Sequence, residues 1–227
     1  MGVRGLRRRR PTPGRSAARW VVAPALATVG LLGCGPADPE PDPQAWVFHV
    51  MATGCRAGEQ RNASAVAVAP EIVATVAHAL DDTRAVTLTD GSGQVRRARL
   101  VTKDRDRDLA LFRLDRPMAG RALADAAPGD AVSVVTAVAP GQVTTSAAEV
   151  VQVVTATVDG AAPRLVLRLS EPVAVGASGS PVLDAEGRVV GLAFAADRNG
   201  TGGWAIAAAE LEPLLADAGR ERLPLDC

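Results

Sequence analysis

The feature that most constrains this chain is its rhythm from residue 46 onward. Short apolar segments rich in Val and Ala recur as far as residue 207, and turn-forming pairs separate them at near-regular intervals. The pattern predicts strands at 46–52, 64–69, 71–76, 84–89, 94–102 and 109–114, and a second set at 131–136, 143–157, 164–169, 181–184, 188–195 and 203–207. Breakers between them include Asp90-Gly91, Pro128-Gly129-Asp130, Pro140-Gly141, Asp159-Gly160 and Glu186-Gly187. One helical pattern closes the series, AAAELEPLLADAG at 207–219, with Leu211, Leu214 and Leu215 on one face and Gly219 where a C-cap is expected. No helices alternate with the strands, which argues against a parallel α/β sheet. Many short strands in two halves predict an all-β sandwich or a pair of barrels. Aromatic residues make up only 3% of the chain, so the core must be built from Val, Ala and Leu.

A chain of 227 residues can form one sizeable domain or two small ones sharing an interface. Its formal net charge of zero hides an asymmetry. Seven of the 25 basic residues are arginines within residues 1–33, a stretch with no acid, so 18 basic residues face 25 acids in the remainder. A body with net charge −7 offers no support for nucleic-acid binding.

The basic stretch has a different explanation. Residues 1–19 read as the n-region of an export signal, and the apolar run WVVAPALATVGLLG at 20–33 has the length of its h-region, short of the ~20 residues of a membrane span. The run ends Leu31-Leu32-Gly33-Cys34, which resembles the lipobox of bacterial lipoproteins. That resemblance implies lipidation of Cys34, whereas a simple cleaved signal is the alternative. Residues 34–45 are rich in Pro and Asp and read as a solvated tether, with the folded body beginning near Trp46.

Only two histidines are present, and a Ser or Cys hydrolase uses one as its base. His49 lies within the apolar segment WVFHVMA and reads as a structural or surface residue. His78 follows a strongly apolar strand that ends in small residues, which would hold its ring rigidly beside a cleft. A second motif is Gly176-Ala177-Ser178-Gly179-Ser180-Pro181, where glycines flanking a serine permit a tight turn that exposes the hydroxyl. Such a turn also lets successive N–H groups point at one spot, as an oxyanion hole requires. The third is Asp108 in DRDRDLALFRLD, at the hinge where a charged run turns apolar, and so the acid best placed to be buried and orient an imidazole.

Together these motifs resemble the chymotrypsin/trypsin-like serine peptidases, in particular the bacterial Deg-type branch and a subset of exported, membrane-tethered members of actinobacterial type. The order His78, Asp108, Ser178 and the blocks Thr75-Val76-Ala77-His78, Asp108-Leu109-Ala110-Leu111 and Gly176-Ala177-Ser178-Gly179-Ser180-Pro181 carry the likeness, which runs from about Cys55 to Leu215. The resemblance implies two six-stranded antiparallel barrels, about 46–120 and 121–227, with a C-terminal helix and the triad between them. It implies an oxyanion hole from the N–H groups of Gly176 and Ser178. It also implies a substrate pocket walled by Pro172, Val173, Ala174, Ala193 and Ala196, small and without a carboxylate. The expected partners are protein or peptide substrates in the cell envelope, with no metal and no cofactor required.

Ala177 departs from the pattern, because the family carries Asp or Asn before its nucleophile. The alternative function is therefore a catalytically weak or inactive binding module on the same fold, and an esterase is a third reading. With Cys34 lipidated, Cys55 and Cys227 remain as an even pair in an oxidising compartment, and the tethered relatives imply that the two are joined. Two free thiols are the alternative. With only a short segment after the helix, no PDZ module is expected.

Overall fold

The computed structural model describes residues 44–157, 162–219 and 222–227, so the expected signal, Cys34 and the tether up to residue 43 lie outside the described residues. The first set of strands is β1 Val47–Gly54, β2 Gln60–Ala69, β3 Ile72–Val76, β4 Thr83–Asp90, β5 Val95–Arg96, β6 Ala98–Asp104 and β7 Leu109–Leu114. They form one antiparallel sheet in the order β5-β4-β1-β2-β3-β7-β6. Its two edge strands are consecutive in the chain, with Arg97 alone between them, and two residues of chain span at most ~7 Å. The edges must therefore meet, and the sheet curls on itself. The single strand expected at 94–102 is divided at this point because β5 pairs with β4 and β6 with β7, at opposite ends of the sheet.

The second set is β8 Ala131–Ala139, β9 Gln142–Ala156, β10 Arg164–Leu169, β11 Pro181–Leu183, β12 Val189–Ala196 and β13 Gly203–Ala207. These close into a six-stranded barrel in the order β10-β13-β12-β11-β8-β9. The fold is thus the expected all-β pair of lobes, one a closed barrel and the other a curled sheet. The terminal helix is shorter than its pattern suggests. A 3-10 turn at Ala208–Glu210 precedes an α-helix α1 confined to Leu211–Ala216. Pro213 explains the delay: it has no N–H to bond back to Ala209, so consecutive α-helical bonds begin only at the Glu210 carbonyl.

Small side chains let the lobes approach closely. One continuous apolar cluster runs from Val47, Phe48 and Leu111 of the sheet to Leu192, Phe194 and Ile206 of the barrel and on to Leu211 and Leu214 of α1. A second fills the barrel interior with Val134, Leu167, Val182, Ala193 and Ala205. Burying each Val or Leu contributes about 1.5–3 kcal/mol relative to exposure. Ser64 of β2 is buried among them and ties the lobes by hydrogen bonds: its Oγ accepts the Ala137 N–H of β8 at 3.0 Å, and its carbonyl accepts Thr75 Oγ1 at 2.7 Å.

The C-terminal residues return to the first lobe. Leu223 N–H donates to the Leu100 carbonyl at 2.8 Å, alongside edge strand β6. The Asp226 carboxylate accepts Lys103 Nζ and Arg105 Nη2, both at 2.7 Å, and the bond from Lys103 holds it below the usual carboxylate range. Cys227 is joined to Cys55 in a disulfide with a Cα–Cα distance of 5.6 Å. The bridge spans 172 residues, and constraining so long a loop in the unfolded chain stabilises by at most about 5 kcal/mol. Replacing Cys55 with Ser in the oxidised protein is expected to lower unfolding stability in urea by about 2–5 kcal/mol. Unchanged stability would show that the bridge does not constrain the unfolded state.

Candidate active site

Strand register brings two of the expected residues together. In the β3–β7 pair Val76 faces Leu109, so the next residues outward, Ala77 and Asp108, are also neighbours, and Ala77 N–H donates to the Asp108 carbonyl at 3.0 Å. His78 opens a 3-10 turn, His78–Leu80, anchored by buried Ala79 and Leu80. Asp108 adopts φ +56°, a left-handed conformation that a short polar residue tolerates better than most. This conformation turns its carboxylate back toward His78. Asp108 Oδ1 accepts the His78 backbone N–H at 2.8 Å, and the ring Nδ1 lies 2.8 Å from Oδ2 and 3.1 Å from Oδ1. An acceptor-only carboxylate there assigns the ring proton to Nδ1 and leaves the Nε2 lone pair facing outward.

Nε2 faces Ser178 Oγ at 3.1 Å. Ser178 lies on the turn between β10 and β11, and backbone bonds clamp that turn to both lobes. The Ser178 carbonyl accepts Ser64 N–H from the sheet at 2.7 Å, and Gly179 N–H donates to the Ala193 carbonyl of the barrel at 2.7 Å. Gly179 has φ +81°, and a Cβ there would collide with the Ser64 carbonyl and Thr75 Oγ1. A side chain at 179 would therefore push the serine off β2.

The loop before the nucleophile is closed by its own backbone. Ala177 N–H donates to the Ala174 carbonyl at 3.1 Å, and the Ala177 carbonyl accepts Ser180 N–H at 2.9 Å. Gly176, third in the turn from Ala174 to Ala177, has φ +87°, as a type II turn requires. Ala177 is 1% exposed, so its methyl sits inside the protein where a polar side chain is not needed to hold the turn. Among the described hydrogen bonds, the N–H groups of Gly176 and Ser178 have no protein acceptor. Two such donors bracketing Ala177, next to a hydroxyl that faces an imidazole, are suited to an oxygen that gains negative charge.

The expected pocket walls are distributed differently. Pro172, Ala174 and Ala196 are exposed and Val173 is half-buried, whereas Ala193 is wholly buried among the apolar residues of the barrel interior. A Cβ on Gly203 would meet Val173 Cγ2 at 2.5 Å, so the Val173 side chain fills the space against the start of β13. An open cleft of about 480 Å³ does lie beside Ser178, lined by Asn62, His78, Thr136, Val138 and Val175 among others. Val175 is fully exposed and Val138 half-exposed there. His49 proves structural: it is 4% exposed in β1, and burial pushes its imidazole below the usual value, with a hydrogen bond to Asn62 partly opposing this. No cluster of three His, Cys, Asp or Glu side chains with a metal-binding arrangement occurs among the described residues.

Sequence reasoning passed over Ser64 and Arg164, and took Thr75 only as part of the block that ends in His78. Ser64 and Thr75 sit in ordinary strand segments, and their role exists only where β2, β3 and the serine turn meet. Arg164 had one signal, a basic residue at the head of the otherwise mostly apolar strand RLVLRL.

Comparison with known proteins agrees with this fold. Solved structures of similar fold include the active form of the Rv3671c protease from M. tuberculosis, 23% identical, with TM-score 0.71 over 81% of this chain and 84% of that one. The inactive form of the same protease matches with TM-score 0.65 at 23% identity, over 78% and 90% of the two chains. The HtrA-type protease AlgW with tripeptide is 18% identical, with TM-score 0.69 over 77% of this chain and 60% of that chain, so this protein spans well under two thirds of the length of AlgW. At these identities the likeness shows the fold. No curated protein matches the chain. The family described as "Trypsin-like peptidase domain" matches residues 63–192, more than half of the chain and a span holding His78, Asp108 and Ser178. The chain belongs to the trypsin-like peptidase family.

Proposed function

We propose that this protein is a serine endopeptidase with His78, Asp108 and Ser178 as its triad, acting on proteins of the cell envelope. The observation that carries this reading is the pair of N–H groups at Gly176 and Ser178 without a protein acceptor among the described hydrogen bonds, beside a serine hydroxyl 3.1 Å from His78 Nε2. Ser178 Oγ attacks the scissile carbonyl as Nε2 of His78 takes its proton. Asp108 holds the Nδ1–H tautomer and stabilises the imidazolium that forms. The carbonyl oxygen becomes negative against the N–H groups of Gly176 and Ser178. His78 then returns the proton to the leaving amine, and water attacks the acyl-enzyme by the same route in reverse. A non-catalytic binding module would not need these donors left open, and backbone closure of the turn answers the loss of a polar residue at 177.

Incubation of the full chain with a fluorophosphonate probe tests the assignment. Wild-type protein is expected to label at Ser178, while Ser178→Ala and His78→Ala abolish labelling and lower kcat on a peptide substrate by on the order of 10⁴-fold or more. Labelling of Ser178→Ala at the wild-type rate would refute the triad.

For specificity, Pro172, Val173, Ala174, Ala193 and Ala196 supply no carboxylate, and Val173 packed against Gly203 leaves modest room. Small aliphatic P1 residues such as Ala or Val are expected to be preferred in a peptide library, with about 1–3 kcal/mol of discrimination per methylene. Strong selection of Arg or Lys would contradict this.

The LLGC block supports export and lipid anchoring through Cys34, on the extracytoplasmic face of a membrane. Intact mass of the mature protein should show a diacylated Cys34 at its N-terminus. Retention of residues 1–33 without lipid would defeat that part of the proposal.

A further inference from the structure

Arg164, the first residue of β10, carries a guanidinium that is only 3% exposed. A buried cation is costly unless a carboxylate and hydrogen bonds compensate it. Among the described residues the one carboxylate within 4 Å of Arg164 is that of Asp108, with Nη2 3.9 Å from Oδ2. The arginines of the Asp108 loop have partners elsewhere. Arg107 pairs with Asp104 and Glu210, and Arg105 pairs with Asp81 and Asp226. Arg164 is held in place from three sides. Its Nη1 donates to the Asp106 carbonyl at 3.1 Å, its Cζ stands 5.1 Å from the centre of the Phe194 ring on β12, and its backbone pairs with Ala156 of β9. A side chain rooted in the barrel thus reaches the loop of the other lobe that carries the acid facing His78.

We infer that Arg164 is a positioning residue for the active site. It holds the carboxylate of Asp108, and the backbone two residues before it, in the orientation that receives the Nδ1–H of His78. The physical case has two parts. Oδ2 lies between the imidazole and the guanidinium, so rotation of the carboxylate away from His78 also moves negative charge away from a buried cation. The bond to the Asp106 carbonyl pins the loop whose left-handed residue is Asp108, a conformation that the surroundings must hold in place. Arg164 touches neither substrate nor Ser178 and acts through Asp108 alone. The inference rests on the peptidase reading above, since positioning matters only if the His78–Asp108 pair works as a base.

The test compares wild-type protein with Arg164→Met, which keeps the length of the side chain and removes its charge and donors. Three quantities are read: the rate of fluorophosphonate labelling, kcat and KM on one peptide substrate, and the low-field proton resonance of His78 Nδ1–H. Arg164→Met is expected to slow labelling and kcat by about 10- to 100-fold, as sub-ångström to ångström misplacement of a catalytic group does, with KM changed by less than about threefold. The low-field resonance should broaden or vanish as the carboxylate loses its fixed orientation. Arg164→Lys, which restores the charge, should recover labelling to within about tenfold of wild type. Wild-type labelling and an intact resonance in Arg164→Met, even with a lower Tm, would overturn the inference and leave Arg164 a structural residue. Should Arg164→Met not fold, Arg164→Gln, which keeps a donor for the Asp106 carbonyl, carries the same test with the same two outcomes. Failure of the wild-type protein to label would instead defeat the peptidase reading, and the resonance, which needs no turnover, still reports whether Arg164 orders the pair.

Discussion

The geometry at Ser178 depends on one crossing of backbones. Ser64 N–H from the sheet holds the Ser178 carbonyl, and the next residue, Gly179, donates to Ala193 of the barrel. The nucleophile is therefore suspended between the lobes and cannot follow either one alone. Because His78 and Asp108 both belong to the sheet, their distance to Ser178 is a distance between lobes, and the Ser64 bond sets it. Gly179 is what permits this approach, since any Cβ would drive the turn off β2. The chain meets a demand for sub-ångström placement with main-chain bonds, which cost no side-chain freedom to form.

Ala177 shows how the same logic handles a missing polar group. Where relatives place a side chain that can hydrogen-bond, this chain buries a methyl and closes the turn through Ala174 and Ser180. The N–H groups of Gly176 and Ser178 are left without a protein acceptor among the described hydrogen bonds. Orientation of the acid draws on charge in place of neutral contacts. Asp108 is nearly buried, strained in φ, and in contact with an imidazole on one side and a guanidinium on the other. A low-dielectric setting strengthens each of these interactions and makes each harder to remove.

Much of this was legible in the sequence, for a physical reason. Short apolar segments bounded by Gly, Pro and Asp depend on local chemistry, so the twelve expected strand regions correspond closely to the thirteen strands among the described residues. The division at Arg97 was not legible, because it reflects the meeting of two sheet edges and not any local preference. The helix was read too long because apolar spacing was weighed above the lost N–H of Pro213. The meeting of His78, Asp108 and Ser178 was readable because His78 follows the end of one strand, Asp108 precedes the start of another, and Ser178 lies between glycines in a turn. Ser64 and Arg164 were not, and Thr75 was read only as part of a motif, since the bonds each makes exist only once another strand arrives beside it. The pocket walls were the least legible. Whether an alanine faces solvent or the barrel interior depends on register, and Ala193 turned inward.

The central claim is that the turn from Ala174 to Ser178 is a ready-made oxyanion site without a polar residue at 177. The structure of the protein with a small peptide boronate bound would test it most directly, because a tetrahedral boronate imitates the charge and shape of the reaction intermediate. The account predicts a covalent bond from Ser178 Oγ to boron, with one boronate oxygen about 2.7–3.1 Å from the N–H groups of both Gly176 and Ser178 and the turn unmoved. A trigonal adduct, or a boronate oxygen that reaches neither N–H because the Val175–Gly176 peptide faces the other way, would contradict it.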